Sequence, residues 1–288
     1  MDIDSLRLKL AKLNQDHLLK YWSELTDEQK LHLHNQINEI NLEQLFQDID
    51  SSKQSEISLK AHLSTSETVP ISFEHADLSL IQTNNDKINQ LKEFESLGLK
   101  AIADSELGLV MFAGGMNLRL SVSYPKGTYS ADLLSQKSLF QLFAERIIRI
   151  RQLSNDSLSL PWYLMTSDYN HEQTVDFFEM NDYFGLRRSD VEFFKQDSLP
   201  CFDDNFKLIL DEKYKLSMAP NGNGGAFKAM AKNGILKDMR QRGVKYVHVC
   251  HVDNILCKLA DPVFTGLCIS NGFQCALKVS VLILDIFF

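Results

Sequence analysis

No Cys-x-x-Cys pair occurs among the five cysteines, at 201, 250, 257, 268 and 275. A zinc ribbon or a thioredoxin-like site is thereby disfavoured. An odd cysteine count in a chain of 288 residues suits reduced thiols and a cytoplasmic setting. Positive charge is also short. The 30 Lys+Arg face 38 Asp+Glu, a formal net charge of −8, which disfavours a general nucleic-acid binder. No apolar signal-peptide core is seen in the opening MDIDSLRLKLAKL. The last apolar run, VSVLILDIFF, is too short for a bilayer, which needs roughly 20 residues. Neither a P-loop nor a G-x-G-x-x-G fingerprint is present, and no Ser/His/Asp or thiol-protease order stands out. What remains is 44% hydrophobic and 24% charged, an ordinary globular composition. The length suggests about two domains.

Residues 1–50 read as helices. Asp4 is placed to cap the first, whose apolar positions include Leu6, Leu10, Leu13, Leu18 and Leu19. Thr26 and Gln29 form a capping-box pattern that opens a second helix, and Asn41-Leu42-Glu43-Gln44 opens a third. His17, His32 and His34 fall here and read as solvated. Residues 51–87, rich in Ser and Thr, read as a long connecting segment. From residue 88 to 278 the pattern becomes one of short apolar runs alternating with helical stretches. LVMFA at 109–113, WYLMT at 162–166, VEFF at 191–194 and KYVHVCHVDN at 245–254 read as strands. Helices are expected over Ser138–Leu153 and near 171–180. This alternation predicts an α/β core with a mostly parallel sheet. Ligands of such sheets lie beyond the carboxyl ends of the strands.

Three segments can carry chemistry. After the strand ending at Ala113, Gly114 and Gly115 leave backbone N–H groups open to a phosphate, with Arg119 and Lys126 as nearby cations. An ordinary strand-to-loop turn explains the same residues. In SMAPNGNGGAFKAM, residues 217–230, a glycine-rich loop leads into an expected helix whose N-terminus favours anions. Asn223 there either offers its amide to a ligand or caps that helix. In HVCHVDN, residues 248–254, alternation along a strand puts His248 and Cys250 on one side and His251 and Asp253 on the other. That geometry opposes a four-ligand zinc site. It leaves Asp253 as a carboxylate for Mg²⁺ or a ligand hydroxyl, or as a cap for the next segment.

Taken together, QDHLLKYWSEL at 15–25, AGG and RL with YPKGTY within 113–129, KSLFQLFAERI, PWYLMTS, YFGL, SMAPNGNGG, VDNILCKLADP and FTGLCISNG resemble the eukaryotic UDP-N-acetylglucosamine pyrophosphorylases. The resemblance implies a Rossmann-like nucleotidyltransferase core preceded by N-terminal helices. It implies a Mg²⁺-dependent reaction of UTP with N-acetylglucosamine 1-phosphate, giving UDP-N-acetylglucosamine and pyrophosphate. Its partners would be UTP and an N-acetylhexosamine 1-phosphate, with no nucleic acid and no membrane. Arg119 and Lys126 would be catalytic through phosphate neutralisation. Gly114 and Gly115 would lie against UTP, Gln196 would read uracil, Gly222 would admit the base and Asn223 would bond the amino sugar. Asp253 would hold Mg²⁺ or a ligand hydroxyl. The chain departs from the family pattern at Asn117, Leu118 and Ser121, where Gly, Thr and Gly are implied, at ADLLS 131–135, and at Asp197, where Gly is implied. After Lys278 the resemblance stops, so residues 279–288 read as a non-family apolar tail and the C-terminal part of the family fold as missing. A catalytically inactive uridine-nucleotide-binding or interaction protein is the alternative.

Overall fold

The computed structural model describes residues 3–65, 85–115, 124–130, 134–154 and 159–278. Arg119, the departures at 117, 118 and 121, residues 131–133 of ADLLS and the tail 279–288 lie outside these. In chain order the elements are α1 (Ile3–Lys12), α2 (Asp27–Glu39), α3 (Leu42–Thr65), α4 (Asn85–Ala103), β1 (Leu107–Phe112), α5 (Leu139–Leu153), β2 (Trp162–Thr166), α6 (His171–Met180), β3 (Val191–Lys195), β4 (Ser198–Pro200), β5 (Leu210–Glu212), β6 (Lys215–Leu216), β7 (Met218–Pro220), α7 (Gly225–Lys232), α8 (Ile235–Gln241), β8 (Tyr246–His251) and α9 (Pro262–Asn271). They fall into two units, residues 1–76 with 198–219, and residues 77–197 with 220–288.

The larger unit is built on a four-stranded sheet in the order β3-β2-β1-β8, with every pair parallel. Each central strand buries both faces, which is why it reads as a continuous apolar run. Leu107, Leu109 and Met111 of β1, with Trp162 and Leu164 of β2, pack under Phe140, Phe143 and Phe178 of α5 and α6. The alternate residues Val110, Tyr163 and Met165 face Ala226, Ala229, Met230, Ile235 and Met239 of α7 and α8. The result is three layers, helices on both sides of a parallel sheet. Ser138 caps α5 through its Oγ, which accepts from Gln141 N at 3.2 Å. At the amino end of the sheet, buried Asp190 lies 3.8 Å from Arg151 and 3.9 Å from Arg242, and accepts from Ser159 Oγ at 2.7 Å. Tyr163 OH donates to Asp238 at 2.8 Å. Burial, then that bond, raises the phenol's pKa far above its ordinary value.

The smaller unit differs from the sequence expectation in three ways. First, α1 starts at Ile3 and holds Asp4 in its first turn, instead of being capped by it. Second, α3 continues to Thr65, so the first part of the expected connecting segment is helix. Third, residues 198–219 leave the larger unit's chain order and join this one. Leu208 and Leu216 share a core with Leu6, Leu10, Leu18, Leu33 and Ile37. Gln15 ties the two stretches, its Nε2 donating to Phe206 O at 3.0 Å and its Oε1 accepting from Leu208 N at 2.9 Å. The Thr26/Gln29 capping box is present in both directions. Of the three histidines, His32 is exposed as expected, while His17 and His34 are half-buried. His17 Nε2 lies 2.7 Å from Leu208 O, His34 bonds Asn38, and His32 meets Tyr214 edge-on at 5.8 Å.

Candidate nucleotide site

The strand order reverses beside β1. The chain builds outward from β1 to β2 and β3, then returns to place β8 on the other side of β1. In open α/β sheets this reversal leaves a crevice beyond the carboxyl ends of the two strands. Gly114 and Gly115 follow β1 there, and His251 and Asp253 sit at and just past the end of β8. Phe112 and His251 are register partners, so the two loops leave the sheet side by side.

Two clusters form at this edge. In the first, Gly114 lies against Gln196 and Thr166. A Cβ at Gly114 would sit 2.5 Å from Gln196 Nε2 and 2.8–2.9 Å from the Thr166 carbonyl group. Only glycine permits that approach. Gln196 is anchored by its own N–H, which donates to Thr166 O at 2.9 Å. Its side chain is 4% exposed, and its Oε1 has no hydrogen-bond partner among the described residues. A buried acceptor left unpaired is costly, so it points to a donor supplied by a ligand. The floor beneath is rigid. Asn170 Nδ2 donates to Ala113 O at 2.7 Å while its Oδ1 accepts from Ser167 N at 2.9 Å. Thr166 Oγ1 is 2.8 Å from His171 Nδ1. Burial, then the Lys195 charge, lowers the pKa of His171.

In the second cluster, Lys126 Nζ is 3.5 Å from Asp253 Oδ2 and would lie 3.5 Å from a Cβ on Gly115. A half-buried ammonium here stands beside open backbone, an arrangement suited to phosphate oxygens. Asp253 is the carboxylate partner in this pair. A single carboxylate is a donor that Mg²⁺ can take, since that ion uses one or two carboxylates and completes its shell with phosphates and water. Among the described residues no group of three His, Cys, Asp or Glu side chains could hold a metal ion.

The 217–230 loop adds a third contact. Asn223 does not cap α7. Its Nδ2 lies 3.1 Å from His251 Nε2, and the N-cap position is Gly224. Gly222 takes φ +77° with open space around it. Asn221 N donates to Asp197 O at 3.0 Å, so the loops bearing Gln196 and Gly222 are adjacent. Asp197 also pairs with Lys232 at 2.5 Å. Sequence reasoning did not single out Thr166 or Asn170, and it weighed His251 only within a four-ligand cluster that it set aside. The signal of the first two was position alone, at the end of a strand already read or in the loop that follows it.

The chain matches the model of the family described as UTP–glucose-1-phosphate uridylyltransferase over residues 41–281. That match continues three residues beyond Lys278. The chain belongs to this family of uridylyltransferases. Among its relatives are "UDP-N-acetylhexosamine pyrophosphorylase-like protein 1" of Xenopus tropicalis, 39% identical over 96% of this chain and 54% of the relative, and the "Probable UDP-N-acetylglucosamine pyrophosphorylase" of Dictyostelium discoideum, 36% identical over 96% and 57%. The crystal structure of the uridine diphosphate N-acetylglucosamine pyrophosphorylase from Trypanosoma brucei matches 94% of this chain and 55% of that chain, at 28% identity and a TM-score of 0.73. The chain spans about half the length of the curated relatives it matches. Among the described residues no helix is long and apolar enough to cross a membrane.

Proposed function

We propose that the chain binds UTP at the β1–β8 crevice and transfers its uridylyl group to N-acetylglucosamine 1-phosphate, releasing pyrophosphate. The observation that carries this reading is the buried, unpaired Oε1 of Gln196 beside Gly114. Uracil presents an N–H and a carbonyl side by side, and one amide can meet both. Gly222 leaves room for the base, and Gly115 with Lys126 receives phosphates. Arg119 adds a second cation through the resemblance. Asn223 offers its amide to the N-acetyl sugar, and Asp253 holds Mg²⁺ or a ligand hydroxyl. Bound Mg²⁺ supplies charge neutralisation on the phosphates. The sugar-phosphate oxygen attacks the α-phosphorus of UTP and pyrophosphate leaves, so no covalent enzyme intermediate is required. The protein's part is alignment and electrostatic stabilisation. The odd cysteine count accords with a cytoplasmic setting.

A second reading is a uridine-nucleotide-binding protein without turnover. It is favoured by Asn117 and Ser121, which put side chains where the resemblance implies glycine, and by Leu118, which lacks the hydroxyl of the implied Thr. The deciding experiment pairs two measurements on the whole chain with Mg²⁺, UTP affinity by calorimetry and pyrophosphate release with N-acetylglucosamine 1-phosphate. Binding with release supports transfer. Binding without release selects the second reading, and no UTP binding defeats both.

A further inference from the structure

The other face of β8 carries chemistry that the nucleotide site does not use. Cys250 is buried on the side of β8 opposite His251, on the face that carries His248, and Cys257 of the following loop packs against the same core. Cys257 Sγ is also 3.6 Å from His248 Nε2. Arg146 on α5 holds the segment in place, its Nη1 donating to Ile255 O at 2.6 Å and to Cys257 O at 3.1 Å. The geometry points to Cys250 and Cys257 as a peroxide-sensitive thiol pair, a modification site that closes to a disulfide.

The electrostatics agree with that division of labour. Interaction with Cys250, then with His248 and the nearby positive charge of Arg146, pushes the Cys257 thiol well below its ordinary pKa. Interaction with Cys257 and then burial push the Cys250 thiol up. Thiolate character with partial exposure selects the sulfur that peroxide attacks first. Cys257 is half-buried, whereas Cys250 is enclosed. The Cys257 thiolate therefore attacks one oxygen of a hydroperoxide. The O–O bond breaks, a sulfenic acid forms, and the departing hydroxide takes up the proton that Cys257 lost, leaving as water. The Cys250 sulfur then attacks the Cys257 sulfur. The S–O bond breaks, the S–S bond forms, and the hydroxyl leaves as water with the Cys250 proton. Two thiols are oxidised, and one hydrogen peroxide is reduced to two waters.

The loop so closed, residues 251–256, carries His251 and Asp253, and its bearing on phosphate binding rests on the function proposed above. The pair's own chemistry does not. The test uses the whole reduced chain and hydrogen peroxide in small excess, with a chelator present, then alkylation, digestion without reductant and mass spectrometry. The expected result is loss of two thiols per chain and a peptide pair linked through Cys250 and Cys257. Cys201, Cys268 and exposed Cys275 should stay reduced. In Cys250→Ala, dimedone should trap a persistent sulfenic acid at Cys257. Should that variant fail to fold, iodoacetamide rates on the unaltered chain decide instead, and Cys257 should react faster than Cys275. Oxidation beginning at Cys275, another pairing, or an inert Cys257 overturns the proposal.

Discussion

Gln196 and the two glycines after β1 make opposed demands on a methyl group. At Gly114 a Cβ meets the Thr166 carbonyl group at 2.8–2.9 Å, and that backbone belongs to the sheet and cannot retreat. At Gly115 the nearest atom is the mobile end of Lys126, at 3.5 Å. Gly114→Ala should therefore cost about 1–3 kcal/mol of stability, the usual range for overpacking. Gly115→Ala should be nearly neutral. Urea unfolding of both variants reads the contrast, and equal midpoints would show that the Gly114 approach is not a real constraint. Gln196→Ala should leave the fold intact and weaken UMP binding by roughly 10- to 100-fold, taking about 1–3 kcal/mol for polar groups stranded by the lost amide. Calorimetry with UMP measures it, and unchanged affinity in a folded variant removes Gln196 from the uracil role. At this scale the sequence placed Gly114-Gly115 and Asp253 just past strands it had already read, and the structure has them past the ends of β1 and β8. The sequence was silent on Thr166, whose contact with Gly114 is made by a backbone carbonyl that any residue would supply.

Elements were legible in proportion to how one-sided their burial is. β1 and β2 read correctly because both faces are buried and their runs are uniformly apolar. α5 read correctly because an apolar stripe repeats along it and Ser138 caps it. α9 did not, since it is apolar around most of its circumference and shows no stripe. Its Asp261 cap, its Pro262 at the first turn and Gly272 at φ +65° were the available signals. α9 is pressed so closely on α4 that a Cβ at Gly98 or Gly266 would overlap the facing backbone. The short strands β4 to β7 were missed because two- and three-residue strands carry no period. α6 offers a pH test. His171 at its start has a folded-state pKa below its ordinary 6.5, chiefly through burial. The contribution is whole above pH 6.5 and is lost as pH falls through the lowered folded value, because the unfolded chain takes the proton first. Melting temperature should drop on acidification through this window, and His171→Gln should flatten part of that slope. An unchanged slope would mean that other groups account for the whole effect.

The chain departs from the larger unit after Asp197 and rejoins it at Pro220. The two ends are already stitched together, since Asn221 N donates to Asp197 O at 3.0 Å. Residues 198–219 are thus an insertion in the larger unit whose apolar side chains are spent elsewhere. Leu208 and Leu216, 1% and 0% exposed, pack among the N-terminal helices. Each buried leucine contributes about 1.5–3 kcal/mol. A fragment beginning at residue 77 would leave both without their core. Two such fragments should then behave differently. With 198–219 retained, the fragment should bind a hydrophobic dye and self-associate. With 198–219 replaced by a short Gly/Ser link between Asp197 and Pro220, the larger unit should fold on its own, because the link spans a gap that a backbone hydrogen bond already closes. Light scattering and dye fluorescence compare the two. The same pair reports on function, since Gly114, Gln196, Gly222, Lys126 and Asp253 all belong to the larger unit. The linked fragment should retain UMP binding, while a fragment that is equally sticky with and without the insertion would show that residues 1–76 shield surface other than that of the insertion.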